Sequence, residues 1–158
     1  MAEMVGSAAP TRLQRQPATR ARRRRDDLWI ACSALVAAML ALPLAQNSWH
    51  SPEVASVLAV SATAMLAGQR WAIALVVLAE LLLIPTVLPR VVMADAELAV
   101  RITACISIAS LIPGVLAMRR AAAAMVLVTG WRRTPETVRR FHLGLLGTAA
   151  LVVILPML

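Results

Sequence analysis

The sequence predicts an all-α protein, a polytopic transmembrane helical bundle. Three observations predict it. Hydrophobic residues make up 60% of the chain and the mean hydropathy is +0.76. Charged residues make up only 15%. Those charges gather between long apolar runs instead of scattering among them. Soluble domains run nearer half apolar and a quarter charged, and a helix that crosses a bilayer needs about 20 mostly apolar residues. About five such runs follow one another, over 28–46, 52–68, 71–88, 96–118 and 142–158. The chain therefore divides into a disordered Arg-rich tail (1–25) and a transmembrane helical domain (26–158).

The tail is rich in Arg, Ala, Gln and Pro without hydrophobic periodicity, a composition that resists folding. Asp26-Asp27 follows, acids suited to capping a helix N-terminus. The run LWIACSALVAAMLALPLAQ (28–46) has no charge. A basic segment before an apolar run also describes a signal peptide. Here the tail is long for one, and Pro43-Leu44 before Ala45 makes a poor cleavage site, so an uncleaved first span is the stronger reading. Ser51-Pro52-Glu53 reads as N-cap, N1 and N2 of the second helix, which closes at the turn Gly68-Gln69-Arg70. Trp71 anchors the start of the third span at an interface, and Pro85 and Pro89 lie near its far end. Asp95 and Glu97 are expected to cap the fourth span, where Pro113-Gly114 can introduce a kink.

Between Arg119-Arg120 and Arg132-Arg133, the stretch AAAAMVLVTGW is too short to cross. A short interfacial helix near 121–131 is expected, with Met125, Val126, Leu127 and Trp131 dipping inward. Thr134-Pro135-Glu136 repeats the cap pattern and starts the helix that becomes the fifth span. A four-span variant, with that last segment re-entrant, stays open.

Charge distribution sets the expected orientation. The chain has sixteen cationic side chains, all Arg, and a formal net charge of +8. Fourteen lie in segments assigned to one side: seven in the tail, Arg70, and six between Arg119 and Arg140. Arg90 and Arg101 alone fall on the other. The positive-inside rule then gives N-in, C-out in a bacterial inner (cytoplasmic) membrane, and an all-Arg usage fits a GC-rich genome. Arg22, Arg23, Arg24, Arg25, Arg119, Arg120, Arg132, Arg133, Arg139 and Arg140 are the expected contacts for anionic lipid headgroups. With no Tyr and one Phe, a base-stacking platform is lacking, so no nucleic-acid partner is expected.

Small residues share one face on each of four spans: Ala37, Ala41 and Ala45, and Ala55, Ala59, Thr63 and Ala67, at i+4; Thr103, Ser107, Ser110 and Gly114 at i+4 and i+3; Gly144 and Thr148 at i+4. Such faces let helices associate closely in lipid, either within this chain or with a partner.

Glu80 is the one carboxylate expected near mid-membrane, in VVLAELLLI. A charge there faces a bundle interior and finds a partner, and Arg101, near the outer end of the next span, is the candidate for an intramembrane charge pair. His50 and His142 fall at opposite faces and have no second ligand at i+3 or i+4, so no metal site is expected. Cys32 and Cys105, on opposite halves of the membrane, are expected not to form a disulfide. No nucleophile elbow, zinc signature or phosphate loop occurs. The sequence thus implies no enzyme and no cofactor. The expected role is a non-enzymatic accessory, scaffold or regulatory subunit of a membrane complex, packed against a membrane-protein partner or its own copies. The alternative is a small oligomeric transporter or channel using Glu80. A third reading makes the basic tail a docking arm.

Overall fold

The computed structural model describes residues 15–45, 51–92 and 97–154. Among the described residues there are six helices and no strand: α1 (Arg15–Ala45), α2 (Ser51–Leu66), α3 (Ala72–Val92), α4 (Leu98–Leu116), α5 (Met118–Val128) and α6 (Pro135–Ile154). Three of them, α3, α4 and α6, are long and apolar enough to cross a membrane, and α2 holds a shorter apolar stretch.

α1 corrects the expected boundary of the tail. It begins at Arg15, so Arg15–Arg25 are helical, and the expected disorder of residues 1–14 lies outside the described residues. Ala and Arg are strong helix formers, and Pro17 falls in the first turn, where its missing N–H costs little. Asp26 and Asp27 are therefore inside a helix and cap nothing. Asp27 instead forms an ion pair with Arg120 of α5.

α2 ends as its glycine predicts. Gly68 has φ +86°. Its N–H donates to the Met65 carbonyl at 3.0 Å, and that of Gln69 donates to Ala64 at 3.1 Å. This pair of bonds closes a Schellman cap. α3 then continues without a break through Pro85 and Pro89 to Val92, four residues past the expected end. The prolines remove the donors for two carbonyls, a loss that membrane helices tolerate.

α4 starts after Glu97, whose side chain makes no cap bond; Asp95 lies outside the described residues. Pro113 sits inside α4, and the helix gives way at Ala117 (φ −85°, ψ 5°), whose N–H reaches back to the Gly114 carbonyl at 2.8 Å. The Pro-Gly pair thus precedes the end of α4 and does not divide it. α5 starts directly afterwards, taking Arg119 and Arg120 into its first turn. α6 opens with the expected cap, the Thr137 N–H donating to Thr134 Oγ1 at 3.2 Å.

α3 is the hub: it packs against α1, α2, α4, α5 and α6. Of its most apolar stretch 56% is buried, against 6% for α6, so α6 leans on α3 and α5 along one edge only. The expected interfacial helix is not free at a surface. α5 buries Met118, Ala121, Ala122, Ala124 and Val126, while Leu127 and Trp131 stay exposed. Trp131 meets Phe141 of α6 edge-on, with centroids 5.9 Å apart.

On α1, side-chain size is sorted inside out. The buried face of α1 is largely alanine (Ala31, Ala34, Ala37, Ala38, Ala41), while Trp29, Val36, Met39 and Leu42 point outward. Water would drive the larger groups inward. Lipid is as apolar as they are, and close backbone approach becomes the main gain. The small-residue ladder expected on α2 is displaced: Thr63 and Ala67 are exposed, and Ala55, Leu58, Ala62 and Met65 form the buried stripe.

Candidate functional site

Glu80 is fully buried, at 0% exposure. On one side of it on α3 lie Val76, Ala79 and Leu83 of the main core; on the other, Val77 and Leu81 join Met118, Ala121, Ala122 and Leu145 in a second cluster. Its carboxyl group faces α4 at Gly114. A Cβ built on that glycine would collide with Glu80 Cδ and both carboxylate oxygens. Gly114 is therefore the gap in α4 that accommodates the acid. Neither oxygen has a hydrogen-bond partner among the described residues.

The expected Glu80–Arg101 pair is therefore not formed. Arg101 sits in the first turn of α4, half-buried, and Glu80 lies level with Gly114, thirteen residues further along the same helix. At 1.5 Å per residue the two levels differ by about 20 Å. The four residues by which α3 outruns its expected end carry Glu80 about 6 Å deeper, a part of that difference.

Hydroxyls in the helices are mostly satisfied by their own backbone. Ser61 donates to the Val57 carbonyl at 2.6 Å, Thr103 to Ala99 at 2.8 Å and Ser110 to Ile106 at 2.8 Å, the local bonding that lets such residues sit in lipid. Ser107 differs. It is fully buried, two turns from Gly114 on one face of α4, and its Oγ has no partner among the described residues.

A second feature lies where the charged half of α1 meets its apolar half. An open groove of about 910 Å³ runs between α1 and the α4–α5 junction. Arg25, Leu28 and Cys32 line it from α1, and Ile112, Leu116 and Arg120 from the other wall. The Asp27–Arg120 pair, with side chains about 40% exposed, ties the walls together at the charged end. It also brings Arg22–Arg25 and Arg119–Arg120 to the same end of the bundle.

The other expected lipid contacts, Arg132, Arg133, Arg139 and Arg140, are exposed on the α5–α6 connection and the start of α6; Arg140 pairs with Glu136 at 2.8 Å. Cys32 and Cys105 are free and exposed. His142 is half-buried, its Nδ1 without a partner among the described residues, and His50 lies outside them. On α6, Gly144 and Thr148 of the expected small-residue face are exposed, as is Gly147. A Cβ at either glycine would meet nothing within 4 Å. No family model, curated protein or solved structure matches this chain.

Two of these arrangements were beyond reach of the sequence. Gly114 was visible only as one rung of a small-residue face, and its role as the seat of Glu80 depends on how α3 and α4 slide past each other. The groove needs α1 and α4 to be neighbours. The spacings 25, 28, 32 on α1 and 112, 116 on α4 each mark one helix face, yet neither names the other, nor Arg120 of α5 beside them.

Proposed function

We propose that this chain is a non-enzymatic accessory or scaffold subunit of a membrane complex, docking on a larger membrane protein through α6. One observation supports the reading above the rest. α6 has the length and hydropathy to span a membrane, and its Gly144, Gly147 and Thr148 form an exposed small-residue face, with none of the described residues within 4 Å of a Cβ built at either glycine. Glycine in an exposed helix position weakens the helix by about 1 kcal/mol relative to alanine, a cost that close packing of a partner helix offsets in lipid.

The reading takes α1 from Leu28, α2, α3, α4 and α6 as five spans of a bacterial inner membrane, N-terminus inside and C-terminus outside. The gathering of Arg22–Arg25 with Arg119–Arg120 through the Asp27–Arg120 pair supports a common cytoplasmic end for them. At 16 residues, α2 is about 24 Å long, and flanking residues or local thinning would cover the remainder.

The test is recovery of the tagged full-length chain in mild detergent. The wild type should retain a stoichiometric, larger membrane protein, and Gly144→Leu/Gly147→Leu should lose it while keeping the melting temperature of the isolated chain. Retention by the double variant, or a wild-type chain that purifies alone, overturns the proposal.

A second reading, a small oligomeric transporter or channel using Glu80, is favoured by one fact: the carboxyl group is enclosed without a partner. Such use requires α3 and α4 to separate at Gly114. A Glu80→Gln chain with unchanged membrane accumulation and an unchanged deletion phenotype removes this reading.

A further inference from the structure

We propose that the groove between α1 and the α4–α5 junction is a binding site for one anionic phospholipid. The inference rests on the chain being membrane-embedded but not on the α6 interface, so either can fail alone.

The two walls are matched in order. Along α1, Arg25, Leu28 and Cys32 follow one another on one face, and along the opposing wall Arg120, Leu116 and Ile112 do so in the reverse chain direction. Charge therefore meets charge at one end and apolar surface meets apolar surface beyond it. That is the profile of a phospholipid: a phosphate at the arginine end and an acyl chain along Leu28, Cys32, Ile112 and Leu116. Basic pockets between membrane helices hold anionic headgroups by this combination.

Charge at the mouth favours an anion. Arg25 and Arg120 line it with Asp26, Asp27 is paired with Arg120, and Arg22–Arg24 and Arg119 adjoin these residues in the chain. Asp27 is already engaged with Arg120, holding that guanidinium at the rim. Arg25 is exposed and lines the groove, free to turn toward a phosphate, which guanidinium can bind with two parallel donors. A zwitterionic lipid would bring its own cation to this end.

The test uses the full-length chain in detergent, titrated with phosphatidylglycerol or with phosphatidylcholine of the same acyl chains and read by native mass spectrometry. One phosphatidylglycerol should be retained per chain, preferred roughly tenfold over phosphatidylcholine. Arg25→Gln should cut that preference roughly fivefold, whereas Arg133→Gln, an equal loss of charge away from the groove, should leave it intact. Cys32→Trp, filling the apolar part from an exposed position, should weaken retention of both lipids. Millimolar inorganic phosphate should not displace the bound lipid, because it lacks the acyl chain. Equal retention of the two lipids, equal effects of the two arginine changes, or displacement by phosphate alone would each overturn the proposal.

Discussion

A buried carboxyl group and the glycine opposite it limit one another. Glu80 is enclosed on α3, and its carboxyl group occupies the space a Cβ at position 114 would need. The end of a glutamate is normally free to swing away from such a clash. Here the side chain has no exposed surface toward which to move. Gly114→Ala should therefore destabilise the chain by about 1–3 kcal/mol, the usual cost of overpacking, read as a lower melting temperature in detergent. Glu80→Ala/Gly114→Ala should recover part of that loss, giving a coupling energy in a double-mutant cycle, because the two residues touch. Strict additivity would show that the glycine serves the backbone and not the acid.

Where each helix stops follows from a few local signals. The Schellman cap at Gly68 holds the short α2–α3 turn, and the glycine has open space around it. Substitution there meets no neighbour, so its cost lies in the backbone alone. Gly68→Ala should lower stability by about 1–2 kcal/mol, because φ +86° disfavours any residue with a Cβ; thermal unfolding of the purified chain in detergent measures it. An unchanged midpoint would show that α2 and α3 are held by their packing whatever their connection. The same local logic fails at Pro85 and Pro89. Proline ends helices in water, but in α3 the surrounding helices and lipid leave no better arrangement, and the helix continues to Val92.

At the scale of the molecule, many large apolar side chains face outward, α1 packs inward through alanine, and arginines from distant parts of the chain meet at one end. These features fit lipid as the surrounding solvent for the apolar runs. Topology can then be measured directly. With α1 from Leu28, α2, α3, α4 and α6 all crossing, reporters fused to the two termini should report opposite compartments, a fluorescent protein glowing at the N-terminal end and alkaline phosphatase active at the C-terminal end. Both reporters responding on one side would mean an even number of crossings, with α2 or α6 failing to span.

The helical class, the apolar runs, the turn at Gly68 and the α6 cap at Thr134 are legible in the order of residues alone, because each depends on residues a few positions apart and on the solubility of uncharged segments in lipid. That order also singles out Glu80, since a lone acid in an apolar run is visible without a partner. Only the tertiary structure decided that Glu80 faces Gly114 instead of Arg101, that Asp27 binds Arg120 and not its own helix end, and that α5 packs against α3. Those outcomes turn on the register between helices. A shift of a few residues there costs little in any one span's hydropathy but exchanges every neighbour across the interface.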